Sequence, residues 1–464
     1  MDEIKQQMVK ENKMGTRPML PLIISMALPT MFSMLVQALY NVVDSYFVAQ
    51  VSEDSLTAVS LVFPIQTLLI AFAVGTGVGI NSLVARRLGE KRQDEADNAA
   101  THGLLLGICN WILFALIGLF GSQPFFAAFT SDAALIKMGV DYMSIVCIFS
   151  FGVFVEINIE KMLQATGNMI YPMIFQLIGA VVNIILDPVF IFGYLGIPAM
   201  GVAGAAIATV IGQILSMITA LIVLFTQEHD VKVQLRGFRF HWQTVKNIYV
   251  VGAPSIVMQA IGSVMTIGMN AILITFGNTA VAFFGVYFKL QSFVFMPVFG
   301  LTQGVMPIMG YNFGARNKHR LLSALRICCI IAIVIMAVGL VVFQLIPAQL
   351  LSIFNASSNM LAIGVPALRT ISLCFIPAAL GIAFSTLFQA VGSGISSLIV
   401  SLLRQLILLL PCAYFLSQIS LDAVWYAFPL AEVFSLIASM LMAYRIYQLQ
   451  IRNMPDNPSV PQQG

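Results

Sequence analysis

The sequence predicts an all-α membrane protein, with twelve transmembrane helices in two six-helix bundles related by a pseudo-twofold along the membrane normal. Three observations carry this prediction. Of the 464 residues, 59% are hydrophobic and only 9% charged, whereas about a quarter of the residues of a soluble domain are charged. Apolar stretches long enough to cross a bilayer, which takes about 20 residues, recur twelve times. The chain also matches itself at a single ungapped offset of 225 residues.

The twelve stretches fall at about 19–47, 56–85, 99–120, 135–159, 169–193, 201–226, 247–276, 280–310, 322–345, 360–390, 396–417 and 423–447, separated by charged or Gly/Pro/Asn turns. The opening MDEIKQQMVKENK is mixed in charge and lacks a small-residue cleavage site before the first stretch, so no signal peptide is expected. Basic residues alternate between connections, which is the orientation signal of a helical membrane protein. One set holds Arg86, Arg87, Lys91 and Arg92, then Lys161, then Lys232, Arg236, Arg239 and Lys246, then Arg316, Lys318, Arg320 and Arg326. The other set, which includes VSEDS, FGNTA and IFNASSN, has no Lys or Arg. Both termini are basic and group with the first set, so both are expected to be cytoplasmic, which requires an even number of spans.

The offset of 225 pairs Pro29 with Pro254, Gly75 with Gly300, Gly79 with Gly304, Gly89 with Gly314, and Gln164–Ala165 with Gln389–Ala390. An internal duplication predicts a six-helix lobe over 1–226, a cytoplasmic linker over 227–246, and a second lobe with the tail over 247–464. Six spans is an even number, so the halves enter the membrane in the same sense. This is the parallel-repeat design of alternating-access transporters.

Several function classes are excluded. A net charge of +3, spread along the chain, does not make a nucleic-acid surface. Cys109, Cys147, Cys328, Cys329, Cys374 and Cys412 lie in apolar runs without metal spacing and read as packing residues. There is no GxxxxGK[ST] loop, so uphill transport would run on an ion gradient rather than on a nucleotide. No HExxH, GxSxG or paired catalytic set is present, and neither an enzyme nor a bound cofactor is expected.

An ionisable side chain deep in a span costs roughly 2.5–3.5 kcal/mol on insertion scales, so each needs a partner, a cavity or a function. The candidates are Asp44, Glu156, Glu160 and Asp187, with Asp141 less deep, in the first half, and Lys289, Arg369, Arg404 and Glu432 in the second. Asn183 precedes Asp187 by one helical turn, and Pro188 lacks the N–H that would occupy a carbonyl of the preceding turn. The group suits a proton or Na⁺; the other reading is an N-cap-like Asp at a helix end. Asp44 reads either as part of a site or as a snorkelling or Tyr-bonded carboxylate. Glu160 and Lys161 read as a solvated pair near the cytoplasmic end, with Glu156 deeper. The 34 Phe and 25 Met either line an adaptable cavity or face lipid.

NIILDPVFIFG followed by GVAGAAIATVIGQ, the early ALPTMFSMLVQALYNVVDSYFVAQ, and PIMGYNFGARN after span eight resemble the MATE family of multidrug and toxin extrusion transporters, in its bacterial DinF/MepA-like branch. The resemblance covers essentially the whole chain. It implies a monomeric transporter in the inner membrane of a bacterium, exporting amphipathic, often cationic organic compounds in exchange for H⁺ or Na⁺. It further implies a cation site at Asp44, Asn183, Asp187 and Thr209, which would also hold Na⁺ as the metal if Na⁺ is the coupling ion. A substrate contact is implied at Glu160, and Glu156, deeper on the same span, is a further candidate, with Asp44 and Asp187 expected to serve both cation and substrate. The acids that the NorM branch carries on spans seven and ten are absent here, which favours coupling in the N-terminal lobe. The alternative from a different class is a lipid-linked precursor flippase of the MOP superfamily, which would be expected to have a strongly cationic cleft.

Overall fold

A computed structural model describes residues 12–49, 53–129, 131–234, 238–354 and 356–455, and no strand occurs among them. The helices are α1 (Met19–Ala49), α2 (Glu53–Gly89), α3 (Gln93–Ala128), α4 (Ala133–Ile148 with Phe151–Ala165), α5 (Ile170–Phe192) and α6 (Val202–Thr226). The second half repeats them as α7 (Trp242–Phe276), α8 (Asn278–Gly314), α9 (Lys318–Leu345), α10 (Ser358–Ser372 with Phe375–Ala390), α11 (Gly394–Ser417) and α12 (Leu421–Ile451). Ten of these are single helices long and apolar enough to span a bilayer. Taking each bent pair as one span gives twelve.

The two bent spans are equivalent in the repeat: α4 bends by 41° and α10 by 49°, at Phe149–Ser150 and at Leu373–Cys374, within one residue of the repeat offset. Each break tightens the backbone to i−3 bonding, from Ser150 N to the Cys147 carbonyl at 3.4 Å and from Cys374 N to the Ile371 carbonyl at 2.9 Å. In α10 the break is reinforced by Pro377, which offers no N–H to the Leu373 carbonyl.

The paired glycines build the contact between the lobes, and they do so reciprocally. Gly75 and Gly79 of α2 lie against Ile256 and Gly252 of α7, while Gly300 and Gly304 of α8 lie against Met31 and Ala27 of α1. Subtracting 225 from 256 and 252 returns 31 and 27, so each lobe grips the other's first helix with the same glycine stripe. A Cβ on Gly304 would lie 2.8 Å from the Ala27 Cα, and one on Gly75 would lie 2.7 Å from the Ile256 backbone N. Farther along, Gly89 abuts Tyr311 and Gly314 abuts Arg86, again one repeat apart. Close helix approach through small residues is the usual glue where lipid removes the hydrophobic drive between helices. Gly304→Val is therefore expected to lower the melting temperature of the purified protein, since overpacking typically costs about 1–3 kcal/mol. Gly285→Ala on the same helix, where an added Cβ meets nothing within 4 Å, should leave it unchanged or raise it.

At one end of the bundle the segment Asn12–Arg17 ties several elements together. Asn12 Nδ2 donates to the Thr166 carbonyl at 3.0 Å and to Asp230 Oδ2 at 2.7 Å. Arg320 donates to the Met14 carbonyl at 2.9 Å and the Arg17 carbonyl at 2.8 Å, and Asn312 Nδ2 donates to the Met14 carbonyl at 3.0 Å. Asn312 belongs to the YNFGA motif, which forms the last turn of α8 and its C-cap, Ala315, rather than following the helix. The segment between α6 and α7 docks on α3: Lys232 N donates to Asp97 Oδ1 at 2.9 Å, and His241 N donates to the buried His102 Nε2 at 2.9 Å.

Candidate functional site

Helices α1, α2, α4, α5 and α6 enclose a cavity of about 450 Å³ in the N-terminal half, and α7 and α8 contribute Gln259 and Gln303 to its wall. A second cavity of about 500 Å³ lies in the C-terminal half. The two share Phe63, Thr67 and Gln259, so they adjoin at the α2–α7 contact between the lobes.

The floor of the first cavity is one face of α5. Gln176, Ala180, Asn183 and Asp187 recur at helical spacing, and the first three line the cavity. Gly212 of α6 approaches the Gly179 carbonyl so closely that a Cβ there would lie 2.7 Å away. That approach, one turn from Thr209, brings Asn183 and Thr209 together. With its amide oriented to satisfy both neighbours, Asn183 Nδ2 donates to Asp187 Oδ2 at 2.9 Å, and Asn183 Oδ1 accepts from the Thr209 hydroxyl at 3.1 Å and from Thr209 N at 3.0 Å. Asp187 is 0% exposed. It lies one layer behind the cavity wall, whereas Asn183 and Thr209 are in the wall itself.

Three of the four residues expected to hold the cation are thus joined by hydrogen bonds. The fourth, Asp44, lies on α1 one helical turn beyond the cavity-lining Tyr40, and its side chain is outside the described residues. The N-cap reading of Asp187 does not hold, because Asp187 and Pro188 are inside α5, which ends at Gly193 in a left-handed turn with φ +80°. Pro188 cannot donate to the Ile184 carbonyl, so that oxygen lacks its helical partner beside the acid.

Glu160 and Lys161 correct the solvated-pair reading, while leaving Glu160 in a cavity wall as a substrate contact would require. They are not a solvated pair at a helix end, and Lys161 is not part of a basic connection. Both lie within α4 and line the cavity, with exposures of 2% and 5%. Lys161 Nζ donates to Glu160 Oε1 at 2.9 Å, Gln164 Oε1 at 3.1 Å and Gln303 Oε1 at 2.8 Å. Glu160 also accepts from Gln164 Nε2 and Gln176 Nε2, each at 2.8 Å. Helix periodicity alone could not reveal this burial, because the partners come from α5 and α8. Glu156, one turn earlier on α4, is buried in the same wall and its Oε1 has no hydrogen-bond partner among the described residues.

Three other candidates line neither of these two cavities. Asp141, Lys289 and Arg369 are exposed; Lys289 sits 6.0 Å from the Phe354 ring centroid, and Arg369 Nε donates to the Gln344 carbonyl at 3.2 Å. Arg404 and Glu432 line the second cavity and face each other at 3.5 Å. The division into acids in the first half and bases in the second therefore gives way to an acid–base pair in each cavity, with Glu156 as an additional acid in the first. Sequence reasoning missed Gln164, Gln176 and Gln303 as members of the site; Gln164 was visible only as a match across the duplication. The six cysteines are free thiols, with Cys147, Cys328 and Cys374 buried.

Comparison with known proteins adds to this geometry. The MatE family model matches the chain twice, over residues 29–189 and 254–415, again with starts 225 residues apart. The multidrug export protein MepA of Staphylococcus aureus (strain MSSA476) is 24% identical over 430 residues, 92% of this chain and 94% of that protein. MepA of Staphylococcus haemolyticus is likewise 24% identical, over 94% of each chain. A solved structure of a multidrug resistance MATE family transporter of the MOP superfamily, in an outward-facing conformation, superposes with a TM-score of 0.90 at 27% identity, covering 96% of this chain and 99% of that one. A MOP superfamily transporter from Pyrococcus furiosus, described as having a binding pocket of reverse polarity, superposes with a TM-score of 0.89 at 27% identity, covering 95% of this chain and 98% of that one.

Proposed function

The chain belongs to the MatE family, and from that premise we propose that it is a cation-coupled multidrug efflux antiporter. It exports amphipathic, often cationic organic compounds by alternating access in exchange for H⁺ or Na⁺. The observation that carries this reading is the Asn183–Asp187–Thr209 group, with Asn183 and Thr209 in the wall of a cavity that reaches the lobe interface and Asp187 buried behind them. A proton or Na⁺ arriving at Asp187 neutralises a fully buried carboxylate and changes what α5 and α6 present to the cavity. A cationic substrate draws on the same negative charge, so cation and substrate compete for it. Occupancy by one lowers affinity for the other, which is the requirement for exchange.

The acidic balance of the cavity supports a cationic substrate. Among the described residues its charged lining consists of Glu156, Glu160 and Lys161, so two carboxylates face one ammonium. The same balance disfavours a lipid-linked precursor flippase, whose anionic pyrophosphate headgroup would need an excess of Lys or Arg. We place it in a bacterial inner membrane with both termini cytoplasmic; the gathering of Asn12–Arg17, Asp230, Arg320 and Pro455 at one end of the bundle supports a common side for the two ends of the chain. The test is export of ethidium from proteoliposomes energised by a pH gradient in one arm and a Na⁺ gradient in the other. Export accelerated by at least one gradient is expected. Export that ignores both would overturn the antiport.

A further inference from the structure

The second cavity differs from the first in charge and in how its wall is made. Of its lining residues only Arg404 and Glu432 are charged, so its formal charge is zero. Arg404 NH1 and Glu432 Oε1 are 3.5 Å apart, longer than a charge-assisted hydrogen bond of about 2.7–2.9 Å. The side chains remain 27% and 15% exposed. Two buried acceptors in the wall, Glu432 Oε2 and Gln291 Oε1, have no hydrogen-bond partner among the described residues. Buried acceptors left unpaired destabilise the fold, and a ligand with donors removes that cost.

The backbone supplies an independent sign. Residues Leu403–Leu409 of α11 form a π-helical stretch, and π-bulges concentrate at functional sites. It ends just before Pro411, which cannot donate to the Ile407 carbonyl. The consecutive residues Arg404 and Gln405 both line the cavity. One repeat earlier, the equivalent stretch of α5 is regular α-helix. The widened turn in the cavity wall therefore has no counterpart at the equivalent position of α5, although π-helical turns also occur at Ile117–Gly121 of α3 and Tyr447–Ile451 of α12.

We propose that this cavity is a binding site for aromatic zwitterions whose ammonium and carboxylate lie close together, as in a bulky aromatic α-amino acid. A lone cation would be repelled by Arg404 almost as strongly as it is attracted by Glu432, and a lone anion meets the converse. A zwitterion satisfies both: its ammonium donates to Glu432 Oε2 and Gln291 Oε1, and its carboxylate accepts from the Arg404 guanidinium. Tyr287, Phe288, Phe295 and Phe428 offer ring faces and edges to the aromatic part. The volume of about 500 Å³ is within the usual range for small-molecule pockets.

The inference concerns binding, and it extends the efflux reading by giving the two cavities ligands of different charge class. Equilibrium binding to detergent-purified protein is measured for 4-phenylphenylalanine, for its methyl ester, which keeps only the cation, and for its N-acetyl derivative, which keeps only the anion. The wild-type protein should bind the free amino acid about tenfold or more tightly than either derivative, the scale of one charged hydrogen bond. The double variant Arg404→Gln/Glu432→Gln, which removes both charges together and so leaves no orphaned ion, should bring the three to within about twofold while melting normally. Equal binding of the three to the wild-type protein, no binding of any, or a preference that survives in a folded double variant would each overturn the proposal. None of these readouts requires transport, so failure of the efflux reading would be separately visible.

Discussion

Asp187→Asn is expected to abolish drug export, bringing efflux from energised proteoliposomes to the level of protein-free vesicles while leaving expression and melting temperature close to those of the wild-type protein. Asparagine keeps the size of the side chain and can still meet Asn183, but it cannot take up and release a proton, and it offers Na⁺ no charge. Asp187 is fully buried and linked through Asn183 to Thr209. The substitution keeps the size of a fully buried side chain and its contact with Asn183, and stability should change little. Asp44→Asn should have the same effect on export, since two carboxylates are proposed to share the cation. Thr209→Ser keeps the hydroxyl and should export nearly normally, whereas Thr209→Val should be impaired. Full drug resistance in cells expressing both single Asp variants would contradict the assignment.

The second large effect concerns stability. Lys161→Met leaves Glu160 buried with only Gln164 and Gln176 as donors. Removing one partner of a buried pair typically costs about 3–5 kcal/mol, so a pronounced fall in melting temperature and in yield is expected. Glu160→Gln/Lys161→Met removes both charges and should recover most of the loss. The net charge of the cavity is unchanged in the double variant, so binding of a permanent cation such as tetraphenylphosphonium should persist. A single variant as stable as the wild-type protein would show that the network of Lys161, Gln164 and Gln303 contributes little.

These predictions separate what the sequence makes legible from what it hides. The spans were legible because lipid demands long apolar runs, and the lobes because the 225-residue offset preserved residues that cannot change. Gly75, Gly79, Gly300 and Gly304 sit where helices of opposite lobes touch backbone to backbone, and any larger side chain would separate them. Asn183 and Asp187 were legible as a pair because one helical turn joins them. Their bond to Thr209 was suggested only by family resemblance, since it depends on the approach of α6 at Gly212. The environment of Lys161 was not legible. A Glu–Lys dipeptide near the end of an apolar run looks solvated until Gln176 and Gln303 arrive from α5 and α8. Arg404 and Glu432 were visible as isolated charges, but their pairing depends on the packing of α11 against α12.

The central claim is exchange through the Asp187 group, and counterflow tests it most directly. Proteoliposomes are given an outward ethidium gradient and no cation gradient, and the lumen is followed with a pH-sensitive dye in one arm and a Na⁺-sensitive dye in the other. The account predicts that ethidium moving down its gradient drives one of these cations the opposite way, and that this movement disappears in Asp187→Asn. Ethidium leaving wild-type vesicles with neither cation moving, or cation movement persisting undiminished in Asp187→Asn, would contradict it.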